Sequence, residues 1–352
     1  MGRFLPSDAI GAKFLPFCLG DAYSRQSISD NPIHRAQRTE PNEPNPMNRT
    51  EFATPLGSIS ICHWNQDAAL TPDGKKPILH WAHANGFNAQ TYDKLLAPLA
   101  EQLDIYAWDA RGHGLTELPA NPDEMKSWLI YAEDLERVVE RLHAKSGQKI
   151  WLAGHSMGGC TSVLLAAKRP DMVAGLVLVD PVIVPRLSLW GRVMMWISAS
   201  KGSDLHERAK KRRRDWPDME TVEKAYTGRG AFASWQDGFL QDYLQGGLLP
   251  ITDAREDDMQ NRYRLACDPL WEAANFKGPQ LDASAHIKKL RVPLTLLMAE
   301  TGSTTYLVRP FKRLKGATKI DIVAGTTHFV PMERPDLVRD EIIARIGASA
   351  CE

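Results

Sequence analysis

Residues 154–159 read Gly154-His155-Ser156-Met157-Gly158-Gly159. They lie between a run that reads as a buried strand (149–153) and one that reads as a helix (161–168). A serine between glycines in that setting is the pattern of a nucleophile on a sharp strand-to-helix turn. Residue frequencies alone put Gly-x-Ser-x-Gly in roughly one chain in ten of this length, so the flanking strand and helix carry the assignment. The glycines are needed because side chains there would strike neighbouring backbone, and the amides opening the helix face developing negative charge. A hydroxyl is a weak nucleophile and needs an adjacent base. His328, in Gly325-Thr326-Thr327-His328-Phe329-Val330-Pro331, follows the last strand-like run and is the candidate base. The backbone N–H of Met157, the residue after the nucleophile, is a candidate donor to the oxyanion that attack on a carbonyl would create.

These residues need a scaffold. Alternating or continuous apolar runs predict strands at 58–64, 77–82, 104–108, 149–153, 174–179, 292–298 and 319–323. Helical spacing predicts helices over 91–103, 123–144, 161–168 and 335–346, with Leu129, Leu135, Val138, Val139 and Leu142 on the inner side of the second. Strands alternating with helices predict an α/β fold, a mostly parallel central sheet covered on both faces. The rhythm breaks after Asp180: 182–286 shows helical patches and no clear strand, which predicts a helical cap inserted between two strands. The core is then 51–181 with 287–352.

With these segments in view, residues 52–346 resemble the α/β-hydrolase superfamily. The resemblance rests on Asn85-Gly86-Phe87, Asp109-Ala110-Arg111-Gly112-His113-Gly114, the 154–159 elbow, Val179-Asp180-Pro181, and His328-Phe329-Val330-Pro331-Met332-Glu333-Arg334-Pro335. It implies the α/β-hydrolase fold with a helical cap over the site. It also implies a second oxyanion donor from the loop after residues 78–82, which makes Phe87 N–H the candidate, with Asn85 where many relatives carry histidine. Arg111 and His113 are read as structural. The acid partner of the base is the least regular part. Relatives commonly read Gly-Glu-x-Asp after the strand at 292–298, whereas this chain reads Ala299-Glu300-Thr301-Gly302-Ser303, so glycine stands where aspartate is expected. Asp180, ending the preceding core strand, is the preferred acid; Glu300 is the alternative. Either carboxylate could orient the imidazole and stabilise its cation.

The remainder bounds the function. The chain has 352 residues, 43% apolar and 24% charged, with 43 Lys plus Arg against 43 Asp plus Glu. That balance gives no support to a nucleic-acid partner. Five scattered cysteines, Cys18, Cys62, Cys160, Cys267 and Cys351, form no metal-binding spacing and suit reduced thiols in a cytoplasm. No run of 18 apolar residues predicts a membrane span. Residues 1–50, punctuated by Pro32, Pro41, Pro44 and Pro46, read as a disordered extension, with Met47 a candidate natural start. In the cap, residues 187–190 and 193–197 are candidate pocket walls, as are its five tryptophans. Lys210-Lys211-Arg212-Arg213-Arg214 reads as a solvated helix face, with peripheral lipid contact as the other use.

Taken together, the sequence predicts a serine hydrolase acting on a small or medium hydrophobic carboxylic ester, without cofactor or metal. Lactonase, thioesterase and carbon–carbon hydrolase chemistry use the same groups. A small-molecule receptor with weak or lost catalysis is the rival from another class, motivated by Gly302.

Overall fold

The computed structural model describes residues 47–65, 75–184, 205–251, 262–277, 283–314 and 318–349. Eight strands form one sheet: β1 (Asn48–Thr54), β2 (Gly57–Trp64), β3 (Ile78–Ala82), β4 (Asp104–Trp108), β5 (Ile150–His155), β6 (Val173–Val179), and, after three short strands described below, β10 (Leu294–Ala299) and β11 (Thr318–Val323). Their order is β1-β2-β4-β3-β5-β6-β10-β11. The β1–β2 and β2–β4 pairs are antiparallel and every later pair is parallel. This is the α/β-hydrolase architecture predicted above.

The central strands are apolar at nearly every position because both faces are covered. Alternation still sorts them. Leu79, Trp81, Trp151, Ala153, Val177 and Val179 point to the face that also buries Val338, Ile342 and Ile346 of the C-terminal helix Pro335–Ser349. Ile78, Ala82, Ile150, Leu152, Leu176 and Leu178 point to the face covered by helices Leu129–Ser146 and Met157–Lys168.

Four expectations change. Strand β1 starts at Asn48, so residues 48–50 of the stretch read as a disordered extension belong to the sheet, while residues 1–46 lie outside the described residues; Arg49 reaches Ser60 Oγ (2.7 Å) and Asp109 Oδ2 (2.5 Å). The 91–103 helix is broken into a 3-10 turn, a four-residue α-helix Asp93–Leu96 and a second 3-10 turn Ala97–Glu101. Pro98 explains the break, since it has no N–H to continue the α ladder. The second helix begins at Leu129, not near 123, and Leu129 is exposed, because it opens the helix ahead of the buried Tyr131–Leu142 stripe. The insertion between β6 and β10 is not purely helical. Strands β7 (Asp215–Trp216), β8 (Leu248–Pro250) and β9 (Tyr263–Leu265) form an antiparallel sheet in the order β7-β9-β8. Two or three residues are too few for a period of two to register in sequence.

Helices Leu205–Lys210, Met219–Tyr226, Phe239–Gly247 and Pro269–Lys277 accompany that small sheet. Phe232, Phe239 and Tyr243 of the insertion join the same apolar cluster as Phe87 and Phe329 of the core. The basic run is not one solvated face. The helix ends at Lys210, and Arg212 turns inward onto Glu272 at 2.5 Å. The candidate pocket walls at 187–190 and 193–197 lie outside the described residues.

Candidate active site

Strand β5 runs straight into helix Met157–Lys168, and Ser156 makes the turn with φ 56° and ψ −117°. That conformation costs a non-glycine residue on the order of 1–3 kcal/mol, so the surroundings must hold it. They do so by close approach. A Cβ on Gly158 would collide with Ala82 O, and one on Gly154 would stand 2.6 Å from the carbonyl carbon of Gly158. Only glycine permits the helix start to press against β3. Ser156 N–H donates to Val179 O (3.1 Å) and Ser156 O accepts from Val182 N–H (3.1 Å), which ties the elbow to the end of β6.

The structure brings three of the predicted side chains together. Ser156 Oγ lies 2.9 Å from His328 Nε2, and His328 Nδ1 lies 2.6 Å from Asp180 Oδ2. A carboxylate accepts, so the imidazole carries its proton on Nδ1 and offers the Nε2 lone pair to the serine hydroxyl. All three are buried: Ser156 is 7% exposed, His328 6% and Asp180 0%.

Asp180 sits just past β6 with φ 41°. It collects Ala299 N–H (3.1 Å) and Ser303 Oγ–H (2.5 Å) on Oδ1, and Thr304 N–H (2.9 Å) on Oδ2 beside the imidazole. Burial by itself would raise this carboxyl; bonds from His328, Ser303 and Thr304 outweigh it and hold it below the usual carboxylate range. Gly302, where aspartate was expected, adopts φ 65°, a left-handed turn that brings Ser303 and Thr304 back over Asp180. Glu300 is exposed and accepts Gly325 N–H at 2.9 Å. It is a loop staple, and the structure does not bring it to the imidazole.

The two expected oxyanion donors stand unevenly. Met157 opens the helix, and Ser156 makes no side-chain cap, so the first-turn amides lack an intrahelical acceptor. Phe87 N–H, the second expected donor, instead closes a turn onto Ala84 O at 3.1 Å. The loop that carries it is pinned by two buried histidines. His83 Nε2 accepts Ala110 N–H (2.9 Å) while its Nδ1–H donates to Ala84 O (2.7 Å). His113 Nε2 accepts Gly86 N–H (3.0 Å) while its Nδ1–H donates to Arg111 O (3.0 Å). Burial keeps both neutral, lowering His83 and taking His113 down to about 3. Asn85 Nδ2 donates to Glu272 O (3.1 Å). Arg111 pairs with Asp134 through two 2.8 Å bonds, as the structural reading expected.

Aromatic rings close the site. Phe87 and Phe329 stack with centroids 6.3 Å apart, and Trp235 stands 5.4 Å from Phe87 and 5.8 Å from Phe329. The sequence reading missed Ser303, Thr304 and the Arg212–Glu272 pair. No motif marks them, because each acts through a partner 60 to 124 positions away.

Fold and elbow define the class: the chain has the α/β-hydrolase fold. Within it, the sequence family described as serine aminopeptidase, S33, matches residues 74–227. Over 277 residues the chain is 24% identical to 2-(acetamidomethylene)succinate hydrolase of Mesorhizobium japonicum, spanning 78% of this chain and 90% of that one. It is 34% identical over 124 residues to an esterase of Mycobacterium tuberculosis, spanning 35% and 37% of the two chains. A monoglyceride lipase of Rattus norvegicus is 31% identical over 112 residues, 31% of this chain and 36% of that one. The last two matches cover little more than a third of the relatives' length. Among solved structures, that of E-2-(acetamidomethylene)succinate hydrolase superposes with TM-score 0.67 at 19% identity, covering 86% of this chain and 99% of that one. A thioesterase domain from a curacin biosynthetic pathway gives 0.65 at 18%, covering 85% and 100%. No helix among the described residues is long and apolar enough to cross a membrane, and no group of three or more histidine, cysteine or carboxylate side chains among them is gathered as a metal would require.

Proposed function

We propose that this protein is a serine hydrolase that cleaves a small or medium hydrophobic carboxylic ester through an acyl-enzyme. The observation that carries the reading is the unbroken run of hydrogen bonds Ser156–His328–Asp180, at 2.9 and 2.6 Å. As the Ser156 oxygen attacks the ester carbonyl, its proton passes to His328 Nε2, and Asp180 stabilises the imidazolium without taking the proton. Met157 N–H receives the oxyanion, and Phe87 N–H joins it by exchanging its turn bond to Ala84 O for the substrate oxygen. The imidazolium then protonates the leaving alcohol. Water, deprotonated by the same nitrogen, releases the acid and restores Ser156. The aromatic rings of Phe87, Trp235 and Phe329 favour an apolar acyl group, and the insertion serves as the cap that excludes water. Relatives named as hydrolases of 2-(acetamidomethylene)succinate, esters and glycerides are compatible with this chemistry, as are lactones and thioesters. The receptor reading loses its motive, since the imidazole has a carboxylate partner despite Gly302. A cytoplasmic setting is consistent with the unpaired buried thiols Cys62, Cys160 and Cys267.

The test is covalent labelling by a fluorophosphonate, compared between wild type and Ser156→Ala. Labelling that depends on Ser156 is the expected result, and its absence sinks the reading. A series of p-nitrophenyl esters of increasing chain length then measures acyl preference, with thioester and lactone probes beside them.

A further inference from the structure

We propose that His155, the residue between Gly154 and the nucleophile, is a positioning residue: with Tyr92 it ties the oxyanion-side loop to the loop that presents His328. The proposal rests on the hydrolase reading above.

Hydrogen-bond direction carries the argument. His155 Nε2 lies 2.8 Å from His328 O. A carbonyl only accepts, so Nε2 bears the proton. His155 Nδ1 is therefore an acceptor, and Tyr92 Oη, 2.9 Å away, donates to it. The same hydroxyl oxygen accepts Ala84 N–H at 3.1 Å. A single arrangement satisfies all three contacts: Ala84 N–H to Tyr92, Tyr92 O–H to His155 Nδ1, His155 Nε2–H to His328 O.

The run is dry from end to end. Tyr92 and His155 are 0% exposed and Ala84 is 4% exposed. Burial, with His328 beside it, takes the His155 imidazole down to about 3, so it stays neutral through the working range. The proposed general base and its neutral neighbour stand with ring centroids 4.8 Å apart. Each link left without a partner would strand a buried polar group, which makes the arrangement close to all-or-none.

Position explains the use. Ala84 begins the loop that leads to Phe87, His155 is the last residue of β5, and His328 follows β11. These three elements meet at the site. The His328 carbonyl is on the same residue as the imidazole that must reach both Asp180 and Ser156. Fixing that carbonyl from the end of β5 fixes where the ring starts. A residue acting only as filler would pack equally well as phenylalanine. A positioning residue would not, because a misplacement of about 1 Å at a reacting group can cost roughly a hundredfold in rate.

The experiment compares wild type, His155→Phe, His155→Gln and Tyr92→Phe. The readouts are kcat and KM on p-nitrophenyl butyrate, thermal melting, and the low-field proton NMR signal of the His328–Asp180 hydrogen bond. His155→Phe is expected to lose roughly ten- to a hundredfold in kcat with KM within about twofold, and to broaden or lose the low-field proton. His155→Gln keeps an N–H donor near the Nε2 position and is expected to recover most of the turnover and the signal. Tyr92→Phe removes one oxygen, spares the packing, and is expected to lose about three- to tenfold in kcat; it serves as the decisive variant should His155→Phe fail to fold. The proposal is overturned if folded His155→Phe or Tyr92→Phe keeps both wild-type kcat and an unchanged low-field proton. It is also overturned if folded His155→Gln is as impaired as His155→Phe. The NMR signal needs no turnover. A wild type without Ser156-dependent labelling would therefore reject the hydrolase reading, while the response of the proton would still decide the role of His155.

Discussion

Two buried ionic constellations, one in the core and one in the insertion, are built in opposite ways. In the core, Asp180 is a single carboxylate facing an imidazole, held mainly by backbone and hydroxyl donors from one turn, residues 299–304. In the insertion, Arg212 and Glu272 are a full ion pair at 2.5 Å, with Tyr243 Oη and Tyr226 Oη accepting from the guanidinium at 2.7 and 3.3 Å. The first leaves one nitrogen lone pair of His328 facing a hydroxyl. The second leaves nothing over: Glu272 is 1% exposed and its backbone carbonyl holds Asn85 beside Gly86. In the proposed hydrolase the core arrangement is the reacting one, whereas the insertion arrangement holds the loop at Asn85.

The contrast is broken most sharply at the core. Ser156→Ala is expected to lower kcat by about 10⁴-fold or more, and Asp180→Asn by roughly 10³- to 10⁴-fold, because an amide can impose the wrong imidazole tautomer. Glu300→Gln, on an exposed staple, is expected to stay within about twofold. Turnover of the three purified variants on one p-nitrophenyl ester checks this. Wild-type rates for Asp180→Asn, or a large loss for Glu300→Gln, would reverse the acid assignment.

The insertion pair should answer in stability. Arg212→Met strands a buried carboxylate and is expected to cost about 3–5 kcal/mol, whereas Arg212→Met with Glu272→Leu removes both charges and should recover much of it. Urea unfolding of wild type, single and double variants measures the difference. Equal loss in single and double variants would show that packing, not the charge pair, holds this contact.

The same division governs what could be read from sequence. The core was legible because its strands alternate on two faces, its elbow needs glycines at fixed positions, and Asp180 ends an apolar run. Ser156 is legible from the elbow and His328 from its place after the last strand, whereas Asp180 is preferred over Glu300 on the resemblance and on its position ending an apolar strand. What was missed is tertiary. The β7–β9 strands are shorter than any detectable period, and Arg212 lies in a run of five basic residues that looks uniform until one of them finds Glu272 sixty positions away. Strand β1 escaped because it is an edge strand with mostly half-exposed or exposed residues, so it shows no apolar face. The commitment of Phe87 N–H to Ala84 O depends on a local turn geometry that residue types alone do not specify.

The smallest expected effect lies where insertion and core touch through like charges. Asp242, on helix Phe239–Gly247, is 8% exposed, and its Oδ2 has no hydrogen-bond partner. Burial, and then the nearby Asp93, push its carboxyl up to about 7. An acid whose pKa is raised in the folded state binds a proton there that the unfolded chain does not. Stability therefore falls as pH rises from near the ordinary carboxylate value, about 4, to about 7, and the penalty is complete above that. Asp242→Asn removes the charge and keeps the shape. It is expected to stabilise the protein by about 1 kcal/mol at pH 8, after allowance for solvent screening, and by only about a third of that at pH 5. Urea midpoints at the two pH values measure it. The same change at both would mean that Asp242 is not carrying an unpaired charge against Asp93, and that insertion and core meet there through packing alone.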